Sequence, residues 1–222
     1  GTRYVRTNDI KPVENWNLGA VEGPYEDLDG FMSRPAALAE DLLSNGITAM
    51  KIWPFDPAAA ETRGLSISAA QIKQALKPFE AIRKAVGDKI EIMLEMHSQW
   101  ALPAAMEIAR AVEPYRPTWY EDPIKMNSPG ALAEFAHSTK VWTCASETLG
   151  SRWPFKDMLD HDAMHVVMPD ICWTGGLTEG RKIASLAETY HRPVAPHDCT
   201  GPIAFAAAVH LSVSQPNTLI QE

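Results

Sequence analysis

An α/β fold built on a parallel sheet is predicted by three features of this chain. Apolar, strand-like runs alternate with helix-like stretches roughly every 25 residues, joined by short connections. Nearly every strand-like run ends in a polar, chemically capable residue. Three glutamates, Glu95, Glu121 and Glu147, recur at a constant interval of 26 residues. A βα unit has about this length, so each glutamate falls at the same level of a successive strand. An open doubly wound sheet shares the alternation, but no GxGxxG or GKS/T motif is present to support one. Eight polar-ended strands favour a closed (β/α)8 barrel of the TIM type, where reactive groups gather at the C-terminal rim. The expected organisation is one barrel domain over residues 1–222, with about seven βα units, an eighth strand and no final helix.

Taken in order, Tyr4-Val5-Arg6 reads as a short first strand, followed by a long polar connection through Asp29-Gly30. A helix is expected over Pro35–Ser44, with Ser33 as its cap, Pro35 in its first turn and Asn45-Gly46 ending it. The second strand, 48–53, stops at Pro54, and a loop rich in Pro and Ala leads to a helix over 69–85 closed by Gly87. In the third strand, 90–95, Ile90, Ile92 and Leu94 alternate with Glu91, Met93 and Glu95. By this period of two, Glu95 and His97 leave the same face as the strand ends. Helices near 101–113, 129–137, 154–160, 176–190 and 202–213 then alternate with strands at 118–121, 141–146, 165–168, 193–195 and 218–220.

With 222 residues and 45% hydrophobic content, the chain can bury a full core. A net charge of −8 argues against nucleic-acid or anionic-membrane partners, whose recognition needs basic surface. Cys144, Cys172 and Cys199 are odd in number and lack disulfide or zinc spacing, which fits a reducing compartment. No signal-peptide pattern or long apolar span is evident, so a cytoplasmic protein is expected.

Three carboxylates converging at one sheet end make a site for a hard cation. The all-oxygen ligand set favours Mg2+ over Zn2+, and it disfavours a barrel hydrolase, which wants His-x-His and further histidines. Strand six ends in Asp170, strand seven in His197 and strand eight in Glu222. Adjacent strand ends let Asp170 accept a hydrogen bond from His197, fixing one tautomer and raising its basicity, as a general base requires. A buried, protonated Glu222 is able to donate to a developing oxyanion, and His97 to protonate a leaving group. Asp122 and Asp198 are expected to support these residues, and Trp53 and Trp100 to line the pocket. Arg152 and Lys156 read as surface or pairing residues. His137, His161, His165, His191 and His210 receive no chemistry. One acid at a strand end is usually a solvated loop residue or a cap; three in register, followed by Asp170 and His197, are not so easily explained.

Lys51, Glu95 with His97, Glu121 in Tyr-Glu-Asp-Pro, Glu147 in Ser-Glu-Thr, Asp170 in Met-Pro-Asp, His197 in Ala-Pro-His and Glu222 in Ile-Gln-Glu together resemble the enolase superfamily. The likeness is to its mandelate-racemase-like branch, and within that to acid-sugar dehydratases of the galactonate type. Gly175-Gly176 and Gly201-Pro202 belong to the same pattern, which covers essentially the whole chain. The resemblance implies Mg2+ held by Glu95, Glu121 and Glu147 and chelated by a substrate carboxylate. It implies that His197 takes the proton alpha to that carboxylate, Glu222 helps stabilise the enediolate and His97 helps expel the beta hydroxide. The product would be a 2-keto-3-deoxy sugar acid. The alternative within the superfamily is a sugar-acid epimerase, racemase or cycloisomerase; a non-catalytic derivative is a third class.

The sequence also departs from the family pattern. Glu95 stands where most relatives have Asp, one methylene shorter. Many relatives carry Lys-x-Lys on the second strand, whereas Trp53 stands two residues after Lys51 here, which disfavours a Lys/His two-base racemase and leaves Lys51 a substrate or electrostatic role, or simply a salt bridge to one of the glutamates. The family's N-terminal α+β capping domain, which reads the substrate, is expected to be absent from these residues. A small-molecule sugar acid and a symmetric homo-oligomer are the partners implied.

Overall fold

The computed structural model describes residues 27–222; the expected first strand at Tyr4-Val5-Arg6 lies outside them. The chain divides into two compact units. The first comprises the described residues up to Met50 together with Lys77–Ile90, and the second comprises Lys51–Leu76 and Glu91–Glu222.

In the first unit, helix α1 (Asp27–Ser33) leads into α2 (Pro35–Ser44). The polar connection expected through Asp29-Gly30 is therefore partly helical. Ser33 is the last residue of α1 rather than a cap: Arg34 occupies the cap position of α2 and no side chain there accepts a helix N–H. The stop is as expected, with Asn45 at the C-cap and Gly46 at φ +79°, a conformation open to glycine without a Cβ penalty.

All the chemically interesting residues lie in the second unit. Strand β1 (Ala49–Ile52) delivers Lys51 and Ile52 to it, and β2 (Glu91–Glu95), β3 (Trp119–Glu121), β4 (Trp142–Ala145) and β5 (Val166–Val167) follow in chain order in one sheet. The register is parallel: Glu95 opposes Glu121, and Glu121 opposes Cys144. Parallel bridges then carry the succession from Val167 to Val194 and from Val194 to Thr218. The last two expected strands are thus reduced to isolated bridges. Chain-order parallel pairing with a helix between strands is the βα-barrel arrangement.

The stretch 54–68, expected as a loop, contains helix α3 (Asp56–Thr62). Its proline sits in the first turn, where the missing N–H costs nothing, so a composition that reads as coil is helix-compatible. Helix α4 (Ala69–Val86) follows. Helix α5 (Leu102–Val112) buries Ala104, Ala105, Ile108, Ala109 and Val112, one face at helical spacing. Helix α6 (Pro129–His137) is capped by Ser128, whose side chain accepts from the Ala131 N–H. Then come α7 (Arg152–Asp160), α8 (Ile171–Thr174), α9 (Leu177–Thr189) and α10 (Pro202–Ser214).

Strand alternation decides what faces the site. On β3 the central Tyr120 is fully buried toward the helices: its hydroxyl donates to the Ala109 carbonyl at 2.7 Å, and its ring meets Phe135 edge-on at 6.0 Å. Trp119 and Glu121 therefore project from the opposite face. Among the described residues no helix is long and apolar enough to cross a membrane.

Candidate metal and proton-transfer site

The three glutamates meet. One carboxylate oxygen from each of Glu95, Glu121 and Glu147 lies within 4.8 Å of the other two, and all three residues are buried. The shared register of β2 and β3 positions the first two, and Glu147 follows the end of β4 by two residues.

Each carboxylate already has partners. Glu95 Oε1 accepts the backbone N–H groups of Met96 and His97 at 2.9 and 2.5 Å, while its Oε2 is buried with no hydrogen-bond partner. Glu121 Oε1 accepts from Lys51 Nζ at 2.6 Å, and Oε2 accepts from the Trp119 indole N–H at 3.0 Å. Glu147 Oε2 lies 2.7 Å from His197 Nε2. Lys51 Nζ also reaches Glu222 Oε1 at 2.8 Å and stands 3.5 Å from Glu95 Oε2. The contact with Glu222 joins the end of the described chain to the end of β1.

His197 is held from both sides. Its Nδ1 is 2.7 Å from Asp170 Oδ2, the juxtaposition that adjacent strand ends predict, and Asp170 and His197 are themselves parallel bridge partners. The other Asp170 oxygen, Oδ1, accepts the Cys172 and Trp173 N–H groups at 2.7 and 3.0 Å and so caps α8. Glu222 Oε2 stands 3.9 Å from His197 Nε2.

His97 arrives differently from the expectation. Strand β2 ends at Glu95, and His97 and Ser98 both take left-handed φ values, 51° and 56°, so alternation does not aim the imidazole. Its Nδ1 instead lies 2.9 Å from Asp56 Oδ2, and its ring packs against Trp53 in an edge arrangement with centroids 5.8 Å apart. The loop after β2 is braced by α3: the Ala101 N–H donates to the Gly64 carbonyl at 2.9 Å, and a Cβ on Gly64 would stand 1.8 Å from the Gln99 carbonyl oxygen.

Burial and charge govern the acids. Burial lifts the Glu95 carboxyl to about 7 despite its neighbours' hydrogen bond and the Lys51 charge. Glu121 is likewise raised, by burial and then by the charge of Glu95. Burial and the Glu121 charge raise Asp122, which accepts from the Ser146 hydroxyl at 2.7 Å, to about 8. Burial pushes Glu147 the same way, but the His197 hydrogen bond and charge outweigh it and its pKa is lowered. For Lys51 and His197 burial disfavours the cation, yet the surrounding carboxylates win and both are raised. Acids held above their ordinary range around one unpartnered oxygen are a cluster short of positive charge. The oxygen-only donor set and the orphaned Glu95 Oε2 fit a hard divalent cation.

Among the other expected residues, Trp100 is buried with its indole nitrogen unpartnered, and Asp198 accepts the Thr200 N–H at 3.3 Å. Arg152 is clamped by Glu179, through Nε at 2.7 Å, Nη2 at 2.5 Å and its backbone N–H at 2.9 Å; Lys156 pairs with Asp160. His137 faces Asp162, and His165 Nδ1 accepts the Thr143 N–H. Sequence reasoning missed Trp119 and Asp56. Trp119 was findable, since it lies two residues before Glu121 on one strand and so shares its face. Asp56 carried no signal, because α3 itself was unseen.

The chain is 34% identical over 180 residues to a D-galactonate dehydratase of Ralstonia nicotianae, covering 80% of this chain and 47% of that protein. It is similar in structure to an enolase of the mandelate racemase subgroup from Agrobacterium tumefaciens (58% identical, 85% of this chain and 52% of that one, TM-score 0.84). A mandelate racemase/muconate lactonizing enzyme from Jannaschia sp. is also similar (34% identical, 91% and 53% covered, TM-score 0.81). The chain thus spans about half the length of these relatives. Residues 34–222 match the family model described as enolase C-terminal domain-like, and with that match over most of the sequence the chain belongs to this family, among neighbours of the mandelate racemase subgroup.

Proposed function

We propose that this chain forms the catalytic barrel of a Mg2+-dependent sugar-acid dehydratase, which removes the proton alpha to a carboxylate and eliminates the beta hydroxyl to give a 2-keto-3-deoxy acid. The observation that carries this reading is the run Asp170–His197–Glu147, which places a carboxylate-backed imidazole directly against the glutamate cluster. Glu95, Glu121 and Glu147 would hold the ion, which when bound acts as a Lewis acid toward the substrate carboxylate.

The remaining work falls to the chain's own residues. Asp170 fixes His197 through Nδ1, and Nε2, once unprotonated and released from Glu147, would be the nitrogen that takes the alpha proton. Glu222 lies beside both Lys51 and His197 Nε2, and in its protonated form would donate a hydrogen bond where negative charge develops. His97, contacting Asp56 through Nδ1, presents Nε2 to the leaving hydroxyl. The D-galactonate dehydratase likeness supports an aldonate or aldarate substrate.

A second reading has its own support. Two imidazoles, each with a carboxylate at Nδ1, make a two-base arrangement suited to an epimerase. A library of aldonates and aldarates, incubated with the protein and Mg2+ in heavy water, separates the two. Keto acid trapped by a carbonyl reagent is the result expected; alpha-proton exchange without keto acid indicates the epimerase, and neither would defeat both. His197→Asn should abolish keto acid formation and exchange alike, a loss of at least about 1,000-fold by comparison with other removed catalytic bases.

A further inference from the structure

Most of the oxygens a divalent ion would use here already have a donor, and Glu95 Oε2 is buried without one. The Trp119 indole holds Glu121 Oε2, two backbone N–H groups hold Glu95 Oε1, and the His197 imidazole holds Glu147 Oε2. Two others face Lys51: its Nζ is 2.6 Å from Glu121 Oε1 and 3.5 Å from the orphaned Glu95 Oε2. The donors on the far oxygens belong to backbone or to residues buried in the wall, while Lys51 is the one long, rotatable side chain among them. It also has a second anchor, since Glu222 Oε1 lies 2.8 Å from the same nitrogen and its side chain is 32% exposed, outside the buried cluster.

We propose that Lys51 is a stand-in cation: without metal its ammonium occupies the place between Glu95 and Glu121, and metal entry displaces it onto Glu222. This rests on the metal reading above and goes beyond it, because it makes Lys51 a competitor of the ion rather than a helper. The physics follows from charge and space. An ammonium hydrogen-bonded to Glu121 Oε1 uses a lone pair an ion would need, and two cations drawn to the same buried carboxylates repel strongly. In exchange, the ammonium keeps buried carboxylates together that would otherwise drive one another apart. The cradle is thereby formed before the ion arrives, and Lys51 is a positioning residue for it.

Mg2+ affinity measured by calorimetric titration tests this without any appeal to turnover. Lys51→Met and Lys51→Gln should bind Mg2+ more tightly than the unaltered chain, by about 10-fold or more given the like charge removed, whereas Lys51→Arg should not. Circular dichroism with and without Mg2+ covers the case in which the neutral variants lose their fold: refolding on addition of the ion is the expected result. Neutral variants that bind Mg2+ equally or more weakly, or that stay unfolded with Mg2+ present, would overturn the proposal. Absence of Mg2+ binding by the unaltered chain is a different result, which removes the metal reading itself and the stand-in with it.

Discussion

Asp170 shows how one side chain carries two duties. Oδ1 satisfies the first N–H groups of α8 and Oδ2 orients His197, so neither oxygen is spare. Removing the carboxylate should cost both a cap and a charge-assisted bond, about 2–4 kcal/mol in total for Asp170→Ala, as read by urea unfolding. Asp170→Asn keeps an oxygen for the cap and should cost clearly less. At this scale the sequence was informative where chemistry follows from strand position: the 26-residue interval located all three glutamates, and strand ends located Asp170 and His197. It was silent where a side chain's partner comes from a distant stretch. A salt bridge from Lys51 to one of the glutamates was readable, but nothing local announces that it will meet Glu95, Glu121 and Glu222 together, and the pairing of His197 with Glu147 is a consequence of three-dimensional closure.

Element by element, the second to sixth expected strands and the longer helices were legible because their apolar periodicity is strong and their ends are marked by Pro, Gly or Ser. The misses have a common cause. Helices α1 and α3 are each seven residues long and lack a decisive apolar face, so local pattern cannot distinguish them from loop. Yet α3 matters, since it presents Asp56 to His97 and ends close to Gly64, which sits at φ +69° against the Gln99 carbonyl. That approach leaves no room for a side chain. Gly64→Ala should be destabilising by about 3 kcal/mol or more, from backbone clash and left-handed strain combined, as measured by thermal or chemical denaturation. The damage should reach His97, whose loop is braced there.

On the scale of the whole molecule, the acidic balance of −8 has a focus in the site. Glu95 and Asp122 titrate at about 7 and about 8, and Glu121 is also raised. A carboxyl whose pKa is raised by folding binds a proton more tightly in the native state. Its contribution is present at acid pH and is lost as pH climbs through the native value. The lowered Glu147 works oppositely, but its loss falls below the ordinary carboxylate range. His197, raised above the usual imidazole value, adds to the trend of the raised carboxyls, its contribution eroding as pH climbs past the ordinary imidazole range. In chelator the chain should therefore melt at lower temperature at about pH 8.5 than at about pH 5.5. Saturating Mg2+ should narrow the gap, because the ion replaces the protons, and its affinity should rise with pH over the same range. Melting curves in chelator that hold steady or improve toward alkaline pH would contradict this account.

The clamp between Arg152 and Glu179 bears on how freely the cluster exchanges its contents. Glu147 is tied at one end of a short span by the imidazole of His197, and Arg152 is tied at the other by three bonds to one carboxylate on α9. Only four residues lie between these two moorings, too few to hinge outward as a flap. An ion held by this cluster would therefore meet Glu147 already in place rather than on a closing flap.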